Sequence, residues 1–271
     1  MAKELRTARL AVLIDADNAP PQIASGLFEE IAKLGEASVR RIYGDFSGTR
    51  LKSWAEHLSA HAIIPHQNFA NTPGKNASDI ALVIDAMDLL HSGRFDGFCL
   101  VSSDSDFTRL AARIREQGLP VYGFGEHKTP DSFRQACKRF FFTENLLPPP
   151  PKPPKPPKPS KAAKPPKATK TEQLELQPVR AADPSDAGLD LLHRAVAQLA
   201  DEDGWARLDS VGTYILTLAP DFDTRTYGHS KLSNFVTKSG QFDVRRDEAK
   251  FIFIRSLANR YDYVDDHEIP F

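Results

Sequence analysis

Apolar positions in the first half of the chain fall into short continuous runs separated by stretches of helical spacing. Leu10–Ile14 is uniformly apolar and reads as a buried strand. Pro21–Leu34 carries Ile23, Leu27, Phe28, Ile31 and Leu34 near helical spacing and predicts a helix. Ala37–Tyr43 predicts a second strand closed by Gly44-Asp45, Leu51–Ala60 a helix, and Ala62–Pro65 a short strand. Ser78–His91 predicts a helix with Ile80, Val83, Ile84, Met87 and Leu90 inward. Phe98–Ser102 predicts a strand, Phe107–Gln117 a helix stopped by Gly118, and Pro120–Gly125 the last clear strand. Strands alternating with helices imply an α/β domain whose mostly parallel sheet is covered on both faces.

The pattern changes after residue 147. Lys recurs at 152, 155, 158, 161, 164 and 167 among prolines, a composition that favours an extended, semi-rigid cationic spacer. Residues 148–182 hold eight Lys/Arg against two Asp/Glu, so this stretch reads as a solvated linker or as a non-specific tether for phosphates. Helical spacing returns in Leu189–Leu199, Leu208–Leu218 and Tyr227–Lys238. Gln241–Arg246 and Lys250–Arg255 then read as two strands around an acidic turn. Three helices and a hairpin follow the winged-helix order. The expected layout is an α/β domain at 1–147, a linker at 148–183, a winged-helix domain at 184–256 and an acidic tail at 257–271.

A chain of 271 residues is long enough for two cores, and its net charge of −1 says little about partners. Cys99 and Cys137 give neither a disulfide framework nor zinc spacing, and Cys99 reads as a small buried hydrophobe. The eight histidines are scattered without a metal-binding pair, which disfavours zinc. A strand begins within ten residues of the start, which disfavours a signal peptide, and no apolar run is long enough to span a bilayer. A soluble, cytoplasmic protein with no membrane partner is expected.

The chemistry concentrates where strands end. Leu10–Ile14 runs directly into Asp15-Ala16-Asp17-Asn18, and Cys99-Leu100-Val101 into Ser102-Ser103-Asp104-Ser105-Asp106. Residues just past the carboxyl ends of parallel strands converge on one crevice. Asp79 opens the helix before the second of these strands and is expected at the same end of the sheet. Gathered carboxylates are costly unless a cation offsets them, and hard oxygen ligands suit Mg²⁺ or Mn²⁺. That set is Asp15, Asp79, Asp104 and Asp106, with Asn18 beside it. The chemistry implied is phosphodiester hydrolysis. Each residue also has an ordinary reading. Asp15, Asp79 and Asp106 could cap helices and Asn18 could be a turn residue. Asp17 is left out of the metal set, and Asp85, about 120° around the helix from Asp79, reads as a salt-bridge or supporting residue. Lys75 could offset phosphate charge, and Arg50 and Lys52 could line a substrate path, although solvated positions explain all three.

These motifs together resemble the NYN family of PIN-like nucleases. The resemblance rests on Leu13-Ile14-Asp15-Ala16-Asp17-Asn18, Tyr43-Gly44-Asp45, Lys75-Asn76-Ala77-Ser78-Asp79-Ile80 with Asp85, Val101-Ser102-Ser103-Asp104-Ser105-Asp106-Phe107 and Gly118-Leu119-Pro120-Val121. It spans roughly residues 8–145. It implies a PIN-like Rossmannoid α/β/α sandwich and metal-dependent ribonuclease activity carried by Asp15, Asp79, Asp104 and Asp106. The stretch Leu216–Val244, with Pro220-Asp221-Phe222, Tyr227-Gly228-His229-Ser230-Lys231-Leu232, Phe235 and Phe242-Asp243-Val244, resembles the OST-HTH or LOTUS domain. That resemblance implies binding of RNA, structured or G-rich, or docking of a protein partner. His229, Lys231, Asn234 and Lys238 lie on or near the third helix and are its candidate phosphate contacts, against an ordinary polar helix face.

The expected function is a two-module RNA endonuclease in which the second domain retains the RNA that the first domain cuts. A non-catalytic RNA-binding adaptor on the same scaffold is the alternative, and the retention of four carboxylates argues against it. A haloacid-dehalogenase-type phosphohydrolase, with Asp15 as nucleophile and Asp17 as acid/base, is disfavoured. Ala19 stands where that class would place a hydroxyl, and no later lysine motif is evident.

Overall fold

The computed structural model describes residues 7–69, 77–148 and 184–257. The expected spacer conformation, the acidic tail and Lys75 lie outside the described residues.

Six strands build one parallel sheet: β1 (Arg9–Asp15), β2 (Glu36–Gly44), β3 (Ile64–Gln67), β4 (Gly97–Val101), β5 (Val121–Gly125) and β6 (Arg139–Phe142). Their order across the sheet is β3-β2-β1-β4-β5-β6, and every pairing is parallel. The direction of winding therefore reverses between β1 and β4, the place where open α/β sheets form a crevice. Alternation along β1 supplies two cores. Ala11 and Leu13 pack on one face with Leu82, Ala86 and Phe107, while Leu10, Val12 and Ile14 pack on the other with Ile23, Leu27 and Trp54.

Helices α1 (Ala24–Ala32), α2 (Ala55–Ala60), α3 (Ala77–His91), α4 (Thr108–Glu116) and α5 (Asp131–Ala136) cover this sheet. Short 3-10 turns at Pro21–Ile23 and Lys52–Trp54 lead into α1 and α2, so the first turns of both predicted helices are tighter than α. Strand β3 starts two residues later than expected. Ala62 takes a left-handed φ of 51° and interrupts the extended chain before it.

The inward face of α3 differs from the expected one. Leu82, Ala86, Leu89 and Leu90 are buried, whereas Ile80 and Ile84 are 60% and 58% exposed. Apolar residues surround most of this helix, so their period does not choose a face. Helix α5 and strand β6 were not anticipated. The segment Phe140-Phe141-Phe142 is buried throughout, and a four-residue strand covered on both sides shows no alternation.

The second domain holds α6 (Pro184–Leu199), α7 (Leu208–Leu218) and α8 (Leu232–Ser239), followed by β8 (Phe242–Arg246) and β9 (Ile252–Ser256). A short strand β7 (Ala206–Arg207) joins them, giving an antiparallel sheet of order β7-β9-β8. This is the expected winged-helix arrangement, built on Leu192, Val196, Val211, Ile215, Phe235, Val236 and Ile254.

The two domains meet along the outer edge of β6. The Phe140 amide donates to the Pro220 carbonyl at 2.8 Å, which covers a strand edge that would otherwise lack a partner. Arg134 Nη1 donates to Asp221 Oδ2 at 2.5 Å, Arg225 Nη1 to Glu30 Oε2 at 3.2 Å, and Asn145 Nδ2 to Thr226 Oγ1 at 3.1 Å. Glu30 is only 6% exposed and its Oε2 also accepts Lys33 Nζ at 2.8 Å, so the carboxylate at this seam is held by one cation from each domain.

Candidate active site

Strand β1 ends on Asp15, which is 1% exposed and held from three sides. Its Oδ1 accepts the Asp17 amide at 3.0 Å, and its Oδ2 accepts Asn18 Nδ2 at 2.8 Å and Ser102 Oγ at 2.8 Å. Ser102 Oγ in turn accepts the Asp104 amide at 3.0 Å. One hydroxyl thus ties the end of β1 to the end of β4 across the sheet reversal. Asp104 caps the 3-10 turn Ser105–Phe107, its Oδ1 accepting the Asp106 amide at 2.8 Å. Ser103 Oγ accepts the Glu126 amide at 2.9 Å and anchors the loop after β5. A Cβ at Gly125 would sit 2.6 Å from the Ser102 carbonyl oxygen, so glycine permits β5 to close on this turn.

Helix α3 brings Asp79 in its first turn to the same crevice. Burial pushes the Asp79 carboxyl up, and the negative charges of Asp15, Asp104, Asp17 and Asp106 add to it, reaching about 6. Asp15 is also raised, chiefly by burial. The hydrogen bonds from Asn18, Ser102 and the Asp17 amide pull against that rise. The crevice is therefore a region of unbalanced negative potential.

The structure thus brings together Asp15, Asn18, Asp79 and Asp104, with Asp106 adjoining. No three His, Cys, Asp or Glu side chains among the described residues form a ready-made ligand set. The donors are hard oxygens and the potential is negative, which fits a divalent cation held partly through water. Arg50 pairs with a neighbouring carboxylate of this cluster, its Nη2 lying 2.6 Å from Asp17 Oδ1. Lys52 sits exposed in the 3-10 turn before α2. In the second domain His229 leans on the Phe235 ring at 5.2 Å, and Asn234 Nδ2 donates to Ser230 Oγ at 3.4 Å. Lys238 is exposed in the last turn of α8. Lys231 faces the cleft between the domains, beside Glu30, Arg139, Asp223 and Arg225.

Beside this crevice lies a balanced cluster. Asp85 Oδ1 accepts Arg41 Nη1 at 2.5 Å, Tyr43 OH donates to Asp85 Oδ2, and His66 Nδ1 lies 3.9 Å from the same oxygen. Burial would raise the Asp85 carboxyl, but the Tyr43 and Arg41 hydrogen bonds and the nearby positive charge hold it below its ordinary value. Tyr43 pairs directly with Asp15 across β1 and β2, so this cluster buttresses the strand that carries Asp15. The supporting role expected of Asp85 matches this geometry. The bridging role of Ser102 had no sequence signal beyond its place after an apolar run.

An all-parallel sheet with carboxylates gathered at its reversal point defines the PIN-like α/β class. The NYN domain profile matches residues 9–145, just over half of the chain, and the chain belongs to the NYN family. The OST-HTH/LOTUS domain profile matches residues 185–253. A crystal structure of a protein of unknown function from Vibrio parahaemolyticus is 17% identical, covering 51% of this chain and 94% of that chain with a TM-score of 0.43. A solution structure of an uncharacterized protein from Nitrosomonas europaea is 26% identical, covering 37% of this chain and 100% of that chain with a TM-score of 0.24. No curated protein matches the chain. No helix among the described residues is long and apolar enough to cross a membrane.

Proposed function

We propose that the protein is a metal-dependent RNA endonuclease whose second domain holds RNA or docks a protein partner. The observation that carries this reading is the convergence of Asp15, Asp79 and Asp104 on one crevice at the sheet reversal. The NYN family supplies the nuclease-like scaffold, and the OST-HTH family supplies a module that binds RNA or proteins. Proposed localisation is the cytoplasm.

Asp15, Asp79, Asp104 and Asp106 would hold Mg²⁺ or Mn²⁺, and the bound ion would supply charge neutralisation at the phosphoryl oxygen and a more acidic water. The protein's own part is positional. Asn18 and Ser102 fix the rotamer of Asp15, and Ser102 couples it to the Asp104 backbone. Without a cation the Asp79 carboxyl rises to about 6, and a divalent ion among these carboxylates would offset the like charges that raise it. Lys75 and Lys52 are proposed substrate-side cations, and Arg50 reaches that role only by leaving Asp17.

The test is cleavage of labelled single-stranded and hairpin RNA with Mn²⁺ or Mg²⁺, comparing wild type with Asp15→Asn and Asp104→Asn. Cleavage that is lost in both variants and in EDTA supports the nuclease. Binding without cleavage, unchanged by either substitution, supports the adaptor alternative.

A further inference from the structure

The outer face of the small sheet in the second domain carries a chemistry that the helices do not. In β7, β9 and β8 the register sets Arg207 and Arg245 on either side of Phe253, and Asp243 opposite Arg255. Alternation sends Ala206 and Ile254 into the core, which leaves Trp205, Arg207, Phe253, Arg255, Asp243 and Arg245 on the opposite face. The Arg245 guanidinium lies 4.2 Å from the centroid of the Trp205 ring and 5.3 Å from that of Phe253. Arg255 lies 4.7 Å from the same Trp205 ring, and Arg207 lies 4.1 Å from the Phe251 ring. Phe251 is 44% exposed, and the side chains of Arg245 and Arg246 are exposed as well.

Charge pairing on this face is uneven. Arg255 is tied to Asp243 at 2.9 Å and Arg207 to Asp209 at 2.5 Å. Among the described residues Arg245 has no carboxylate within ion-pair distance. Arg245 is therefore a planar cation, oriented by two aromatic rings, with its charge left for a partner. Planar cations interleaved with aromatic rings offer stacking surfaces to unpaired bases and N–H donors to phosphates. The usual winged-helix alternative is the third helix, whose start borders the first domain. Lys231 at its start lies in the cleft against the first domain.

We propose that this face, centred on Trp205 and Arg245, binds single-stranded RNA. The bases stack on the Arg–Trp layer, and Arg245, on the same face, meets the phosphates. The proposal rests on the RNA-directed reading of the protein but does not need the first domain to cut.

The experiment uses the full chain in EDTA, so that binding is read without cleavage. Labelled single-stranded RNA is titrated by fluorescence anisotropy while tryptophan emission is followed. Trp54 is buried in the first domain, so quenching on RNA addition should report Trp205 and vanish in Trp205→Phe. Arg245→Glu should weaken binding about tenfold or more, and Arg245→Lys, which keeps charge without a planar group, should fall between. Circular dichroism of each variant checks that the domain still folds. RNA binding unchanged in both Trp205→Ala and Arg245→Glu would overturn the proposal. So would an acidic peptide that quenches Trp205 when RNA does not, which would assign the face to a protein partner. Cleavage with Mn²⁺ is scored separately on the same RNA. Loss of cleavage with retained quenching rejects the nuclease alone, and retained cleavage without quenching rejects this face alone.

Discussion

Asp79 and Asp85 lie six residues apart on α3, and their surroundings drive them in opposite directions. Asp79 is half-buried among four other carboxylates, and its carboxyl rises to about 6. Asp85 is half-buried against Arg41, Tyr43 and His66, and its carboxyl falls below the ordinary value. The residue type is the same and both sit on one helix. What differs is the strand end that each one meets. A carboxylate that the fold neutralises is structural, whereas one that the fold leaves among like charges is poised for a cation or a proton. The same contrast separates the two ends of the second domain: Arg225 is spent on Glu30 and Asp223, while Arg245 is spent on neither.

The largest expected effect breaks the crevice itself. Asp15→Asn and Asp104→Asn should each lower RNA cleavage by roughly a hundredfold or more, the scale of losing several kcal/mol in a metal-assisted step. Rates at saturating Mn²⁺ check this, and wild-type rates in both variants would reduce the crevice to a structural feature.

A second outcome sharpens the contrast on α3. Asp85→Asn should destabilise the fold by about 1–3 kcal/mol, because Arg41 loses its anionic partner and only one of the two acceptor oxygens is left for Arg41 and the Tyr43 hydroxyl. Asp79→Asn should instead stabilise the metal-free protein at neutral pH. Urea midpoints of the two variants should therefore move in opposite directions.

The pH dependence follows from the same pair. Asp79 has a folded-state value above its unfolded one, so the folded state holds its proton more tightly. Its stabilising contribution is present below about 3.8 and is lost as pH rises through about 6. Asp85 has the opposite sign: its contribution is present above the ordinary value of 3.8 and is lost as pH falls through the lowered one. The gain from Asp79→Asn should accordingly appear above pH 6 and vanish near pH 3.8 in thermal melts. Mn²⁺ should raise the melting temperature of wild type at neutral pH and do so less in Asp79→Asn, since a cation bound only by the folded state stabilises it.

The smallest effect is expected at Arg50. Its pair with Asp17 is mostly exposed, so Arg50→Ala should change stability by no more than about 1 kcal/mol. A larger loss would mean that Asp17 belongs to the balanced side of the comparison.

The parallel sheet was legible because β1 and β4 are continuous apolar runs with acids at their ends, and the acids stood out for the same reason. Asp79 was legible only in combination, since an aspartate at a helix start is ordinary. Strand β6 was not legible, because a four-residue aromatic run fits several structures. The inner face of α3 was misread at Ile80 and Ile84, because apolar residues surround the helix and the strands beneath it choose the face. The third-helix residues His229, Lys231, Asn234 and Lys238 were chosen by analogy with winged helices. The sequence contains no sign that Lys231 borders another domain.

By itself the sequence determined the alternation of strands and helices, the acidic strand ends and the division into two modules, because each depends on neighbours along the chain. The tertiary structure alone decided that Ser102 joins Asp15 to Asp104, that Asp85 is neutralised while Asp79 is not, that Pro220 closes the β6 edge, and that Trp205 carries two guanidinium groups. Each of these joins residues far apart in sequence. Their energies depend on burial and on which charges become neighbours, and only the folded chain sets those.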